Sequence, residues 1–241
     1  SVLDTNSDLN LVGHWKLEEN GGNILIDHSG NGNNATVGNT SGMSWVSGQE
    51  GLALRLSGNS NSFGSVPHNP SLEFSDALTV SAWIRPIALA RRFIISKGSP
   101  DGFSLRAEDN GKLDFRFNVE TDGLQYRILS NQNYPTDGTW MHVAVTFDGT
   151  KSVIYINGVE DNSATYAPVT IRPNTTNLHI GAWDGINRWT GDLDEVRLYG
   201  RALSSAEILN LANSGGAFRT NDNPVIKGGS ANSQENNSAL E

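Results

Sequence analysis

Apolar and polar residues alternate along much of the chain with the two-residue period of a strand that buries one face. Over residues 112–119 the odd positions, from Leu113 to Val119, are apolar and the even ones polar. Residues 140–147 repeat the pattern, residues 148–151 (Asp-Gly-Thr-Lys) signal a turn, and residues 152–156 predict the next strand. Asn157-Gly158 then predicts a type I′ hairpin, whose two central residues need positive φ. Residues 79–86 and 92–97 predict two more strands. Turn signals recur roughly every ten residues, the spacing of a sandwich or jelly roll. One helix is expected: Ser204 and Glu207 form a capping box ahead of Ile208, Leu209 and Leu211, and Gly215 is placed to end it. No strand–helix–strand alternation occurs, which argues against a parallel sheet.

The strand signals run from Leu11 to about Asn213, which divides the chain into a lead-in (1–10), a β-sandwich (11–215) and a polar tail or linker (216–241) rich in Asn, Ser and Gly. With 26 Gly and 27 Asn among 241 residues, the composition suits tight turns between short strands. The net charge of −9 removes the counterion-release drive toward nucleic acid, so no DNA or RNA partner is expected. The excess carboxylate suits hard cations. There is no cysteine, hence no disulfide framework and no thiol chemistry. No stretch has the ~20 apolar residues of a membrane helix, so no membrane insertion is expected. The start at Ser1 without a signal peptide, and the closing Leu240-Glu241, read as a domain cut from a larger multidomain protein.

Five segments in order resemble the laminin-G-like, concanavalin-A-like lectin/glucanase domains attached to extracellular bacterial carbohydrate-active enzymes and adhesins. They are residues 11–19 (LVGHWKLEE), 27–33 (DHSGNGN), 79–84 (TVSAWI), 140–149 (WMHVAVTFDG) and 191–199 (GDLDEVRLY) running on to Arg201-Ala202-Leu203-Ser204. The resemblance spans residues 11–213 and implies an all-β fold: a two-sheet antiparallel jelly-roll sandwich with one short C-terminal helix. It also implies a secreted or cell-surface bacterial setting and a glycan partner, although one scaffold of this kind hosts many different sites.

The segment 27–33 sets oxygen-bearing side chains at alternate positions, and Gly30 and Gly32 let backbone carbonyls turn inward. Read from its residues alone, it is as much a loop whose Asp and Asn cap their own backbone. Related domains often hold calcium there, and the resemblance implies a structural calcium bound by Asp27, Asn31, Asn33 and Asp194, with Glu18 a weaker candidate. The twelfth position counted from Asp27 is Gly38, so this is not an EF-hand.

Sugars are bound by aromatic faces flanked by planar polar groups. By resemblance, Trp83, Trp15 and Trp140 occupy core positions, whereas Trp45, Trp183 and Trp189 sit in polar, turn-rich segments. The sharpest candidate is the loop bearing Trp183, Asp184, Asn187, Arg188 and Trp189. A second is the wet face of the central strands, where Arg106, Arg116, Asn118 and Arg127 would point the same way, with Arg91 and Arg92 nearby. Guanidinium forks there suit the carboxylate or sulfate of an anionic polysaccharide.

Glucanases of this fold carry Glu-x-Asp-x-x-Glu on one strand, and that motif is absent. The five His are scattered, and His142 with Tyr126 and Arg116 is the one constellation that would suit a lyase. A non-catalytic carbohydrate-binding module is therefore expected. A protein-binding or adhesion module is the alternative, and a polysaccharide lyase or hydrolase a lesser one.

Overall fold

The computed structural model describes residues 9–98 and 101–214. Sixteen strands follow one another: β1 Leu11–Trp15, β2 Ile24–Leu25, β3 Ala35–Val37, β4 Met43–Ser47, β5 Leu52–Ser57, β6 Gly64–Val66, β7 Leu78–Pro86, β8 Arg92–Lys97, β9 Phe103–Ala107, β10 Leu113–Phe117, β11 Arg127–Leu129, β12 Met141–Phe147, β13 Lys151–Ile156, β14 Val159–Thr165, β15 Leu178–Ile180 and β16 Thr190–Tyr199. A four-residue helix, α1 Val119–Asp122, follows β10, and α2 Ser205–Ser214 follows β16.

The strands form two antiparallel eight-stranded sheets. The first runs β14-β13-β12-β7-β16-β5-β4, with β1 added along the second half of β16. The second runs β11-β10-β9-β8-β15-β6-β3-β2. Alternate residues of each sheet meet in one core: Val80, Ile84, Val143, Val145 and Leu193 from the first, Leu105, Phe115, Phe117, Leu178 and Ile180 from the second. This is the expected two-sheet jelly-roll sandwich, and the strands expected from alternation lie within a residue or two of their predicted bounds.

Two departures from strict alternation matter. Residues 118 and 119 leave the strand: Asn118 takes a left-handed φ of 52° and opens α1. Within β8, the register shifts between Phe93 and Ile95, a bulge at Ile94. Ile94 and Ile95 both enter the core, and Phe93 turns to the opposite face of the sheet, beneath the Arg106 guanidinium. Asn157 and Gly158 have φ of 50° and 82°, as the type I′ hairpin between β13 and β14 requires.

The capping box closes as expected. Ser204 N–H donates to Glu207 Oε2 at 2.8 Å, and Glu207 N–H returns a bond to Ser204 Oγ at 3.3 Å. Helix α2 lays Ile208 on the outer face of the first sheet, where it joins a small cluster with Ala144, Val153, Tyr155, Tyr199 and Leu203. Gly215 and the tail 216–241 lie outside the described residues.

Candidate functional site

The loop 27–33 folds around its own acid. Asp27 Oδ1 accepts from the backbone N–H of His14 and of Ser29, both at 2.9 Å. Its Oδ2 accepts from Ser29 Oγ at 2.8 Å and from Asn33 N–H at 2.9 Å. The Nδ2 groups of Asn31 and Asn33 donate to the Val12 carbonyl, which ties the loop to β1. Four short donors already satisfy the Asp27 carboxylate, so this is the self-capped loop, built on Asx-type bonds.

Asp194 is not part of that loop. Asp27 pairs with Trp15 of β1 on one side, and Trp15 pairs with Val196 of β16 on the other, so β1 stands between the two acids. The expected calcium set of Asp27, Asn31, Asn33 and Asp194 is therefore not brought together. Asp194 instead accepts from the backbone N–H groups of Gln49 and Glu50 through Oδ2, at 2.7 and 3.2 Å. Its Oδ1 is buried with no hydrogen-bond partner among the described residues. Burial, with Glu195 and Glu18 close by, pushes the Asp194 carboxyl up to about 7. Glu18 lies against the same turn, where its Oε1 accepts from Leu52 N–H at 3.1 Å. Among the described residues no three His, Asp or Glu side chains cluster into a metal cage. Glu18 and Asp194 are thus the pair whose chemistry fits a hard cation, with the shortage of oxygens left to backbone carbonyls and water.

The loop after β15 separates its two tryptophans. Trp189 is fully buried in the main core and is not a sugar platform: its backbone N–H bonds Gly181 at 2.7 Å, and its ring points between the sheets. Trp183 is half-buried, with its ring edge-on to Phe93. Asp184 is exposed and Asn187 half-exposed, both at left-handed φ. Arg188 Nε donates to the Gly58 carbonyl at 2.8 Å and its Nη1 to Gly185, so it braces the loop. Of the other tryptophans, Trp15 is core and Trp83 is buried. Trp140 is half-exposed beneath the Arg85 guanidinium, at 4.6 Å, and does not lie in the core as expected. Trp45 is partly buried on β4.

The central arginines share one face of the second sheet, as expected, but of the three only Arg127 remains partly in solvent. Arg106 and Arg116 are buried and share Asp114 and Glu108 with Arg127 and Arg91. Arg127 Nη2 lies 2.9 Å from Asp114 Oδ2, and Arg91 Nε 3.0 Å from Glu108 Oε2. Burial alone would raise the Asp114 carboxyl; hydrogen bonding with Glu108, Arg116 and Arg127 outweighs it and holds the group down at about 2. Four guanidinium groups share these two carboxylates, and the cations remain in excess even when Asp109 beside Arg91 is counted. Asn118 is turned away from them: it clamps the segment 170–172, through Thr170 O and Arg172 N–H.

The structure brings the two candidate sites together. Trp183 and Arg116 line one depression, whose floor is Ser96 and Ser104. Ser104 stands opposite Arg116 on one side and opposite Ser96 on the other. The Arg116 side chain lines the depression while its Nη2 is held by Glu108 and Asp114, and its Nε is buried with no hydrogen-bond partner among the described residues. It adjoins a cavity of about 270 Å³ lined by Trp183, Ser96, Thr176, Asn177, His179 and Asp184. The Asp184 N–H donates to His179 Nδ1 at 3.2 Å, so that nitrogen is the acceptor, and burial lowers the His179 pKa against the pull of Asp184. Phe93, His179, Ser96 and Ser104 are site residues that sequence reasoning missed. The run Phe93-Ile94-Ile95, three apolar residues within an alternating strand, was the available sign of the bulge that turns Phe93 to this face, where Arg106 and Trp183 cover it.

The lyase constellation does not form. His142 is fully buried on the first sheet, where burial lowers its pKa to about 3, while Arg116 belongs to the second sheet. Tyr126 stacks on Phe117 at 4.9 Å.

Known proteins match this architecture. The chain is 28% identical over 211 residues to Paraclostridial mosquitocidal protein 1 of Paraclostridium bifermentans, covering 79% of this chain and 16% of that protein. The crystal structure of that toxin's binding domain superposes with a TM-score of 0.70 at 25% identity, over 87% of this chain and 53% of the other. Domain 4 of AbnA, a GH43 extracellular arabinanase from Geobacillus stearothermophilus, solved in complex with arabinotriose, gives a TM-score of 0.67 at 25% identity, over 84% of this chain and 98% of that domain. The chain thus spans a small part of the curated relative and nearly all of the arabinanase domain. Residues 57–209 match the laminin-G-type family model, and the chain belongs to the concanavalin A-like lectin/glucanases superfamily.

Proposed function

We propose that this domain is a non-catalytic glycan-binding module and that its site is the depression shared by Trp183 and Arg116 on the outer face of the second sheet. The observation that carries the reading is the junction itself. A half-buried tryptophan ring, a guanidinium held by Asp114 and Glu108, and two serines, of which Ser96 donates its hydroxyl to the Ala182 carbonyl, meet at one place. An aromatic face packs on the C–H surface of a sugar, and planar donors bond its hydroxyls or acid group. The partly exposed Arg127 and Arg91 would favour a carboxylate or sulfate on the glycan, while Asp101 and Asp184, which line the hollows, would accept from its hydroxyls. The similarity to a toxin binding domain and to an arabinotriose-binding domain of a larger enzyme supports a binding role within a secreted or cell-surface multidomain protein.

Calcium belongs to this reading as a structural ion. Glu18 and Asp194 would hold it, and its charge would offset the buried carboxylate at the join between the amino-terminal segment and β16. Isothermal titration with arabinotriose and with trigalacturonate tests the function. Binding of either that is lost in Trp183→Ala supports it; binding unchanged by that substitution contradicts it.

A further inference from the structure

The depression is one part of a longer feature. Across the second sheet, Thr36 of β3 stands opposite Ser65 of β6, and Ser65 opposite His179 of β15. His179 stands opposite Ser96 of β8, Ser96 opposite Ser104 of β9, Ser104 opposite Arg116 of β10, and Arg116 opposite Arg127 of β11. Seven strands therefore place their outward residues in one row. Each step is about 4.8 Å, so the row is about 29 Å long. Its middle residues, Ser96 and Ser104, are small, only 2% and 6% exposed, and line the hollows beside Trp183.

The far end of this row has its own aromatic wall. A cavity of about 390 Å³ is lined by Thr36, Asn61, Phe63, Ser65, Pro67 and His179. Phe63 packs edge-on to His179, with ring centroids 5.3 Å apart. His179 also lines the cavity beside Trp183, and Trp183 also lines the depression beside Arg116. Neighbouring hollows thus share a ring: His179 stands between the first two and Trp183 between the second and third. Their chemistry differs along the row: arginines paired with Asp114 and Glu108 at the β11 end, a phenylalanine, a proline and an asparagine at the β3 end.

We infer that Phe63, Pro67 and Asn61 form a second sugar subsite, and that the row binds an internal run of a polysaccharide chain, with an acidic sugar at Arg116 and Arg127 and a neutral sugar at Phe63. This rests on the glycan-binding reading of the Trp183 depression and extends it. An oligomer that reaches both rings gains affinity that a short one does not, because the second contact follows the first without a new loss of translational freedom.

The test is calorimetric titration of linear arabino-oligosaccharides and oligogalacturonides of two to eight units against the wild type and variants. Affinity is expected to climb with length well beyond three units. Phe63→Ala is expected to lower the affinity of the longest oligomers about tenfold and leave the short ones unchanged. Thr36→Arg, an exposed position at the same cavity, is expected to block the long, neutral arabino-oligosaccharides likewise without touching the core. If Trp183→Ala abolishes binding while length beyond three units and both subsite variants have no effect, the extended row is overturned and the binding site stands. If no oligomer binds, both are overturned.

Discussion

Trp183 meets Phe93 edge to face, with ring centroids 4.9 Å apart and planes at 72°. This contact fastens the loop after β15 to the sheet face that carries Arg106 and Arg116, because Phe93 itself lies beneath the Arg106 guanidinium at 5.2 Å. It is geometry that the two bulky rings favour. It also depends on the bulge at Ile94, without which Phe93 would point into the core.

Trp183 and Trp189 are therefore expected to respond in opposite ways. Trp183→Ala should weaken glycan binding about tenfold or more while costing little stability, since its ring is half-exposed. Trp189→Ala empties a fully buried site and should cost about 3–5 kcal/mol. Paired denaturant melts and binding titrations of the two variants check this.

Asp114 is the acid that lets three arginines sit on one buried face. Asp114→Asn should cost about 3 kcal/mol, because it leaves the buried Arg106 and Arg116 with Glu108 as their one remaining counter-charge. The carboxyl is held well below its ordinary value, at about 2. Its contribution to stability is complete above pH about 4 and is lost as the pH falls toward about 2. Urea midpoints between pH 5 and pH 2 should fall steeply in the wild type and more gently in Asp114→Asn.

Calcium is expected to act through Asp194 and not through Asp27. At pH 8 in a chelator, the wild type keeps a buried carboxylate that is costly to ionise. Adding calcium should raise its melting temperature, and the gain should vanish in Asp194→Asn. It should persist in Asp27→Asn, which is itself destabilised because it loses charged acceptors at four hydrogen bonds. A calcium response lost in Asp27→Asn and kept in Asp194→Asn would return the ion to the loop.

The capping box offers a small, separate check. Ser204→Ala should cost about 1 kcal/mol, as Ser204 Oγ accepts from Glu207 N–H. Thermal melts of the single variant measure it.

The strands and the capping box were legible in the sequence because both are local patterns. The site was legible in pieces. Trp183 and Trp189 share one turn-rich segment, and nothing in its composition tells which ring turns inward; that is set when β16 takes its register. Arg106, Arg116 and Arg127 were expected on one face, and they are, but their burial follows from packing against Asp114, Glu108 and Phe93. The row from Thr36 to Arg127 has no sequence signature, because its members come from seven strands and meet only through cross-strand pairing. The loop 27–33 carried the same residues for a self-cap or a cation site, and in the fold Asp27 turns toward the His14 amide, a pairing that no local pattern announces.

The indole N–H resonances of the six tryptophans provide the most direct measurement. In a titration of the isotope-labelled domain with trigalacturonate and arabinotriose, the Trp183 resonance should move progressively to saturation, while those of buried Trp15 and Trp189 stay in place. Saturable binding that shifts another tryptophan and leaves Trp183 unmoved would contradict a glycan site at Trp183 and Arg116.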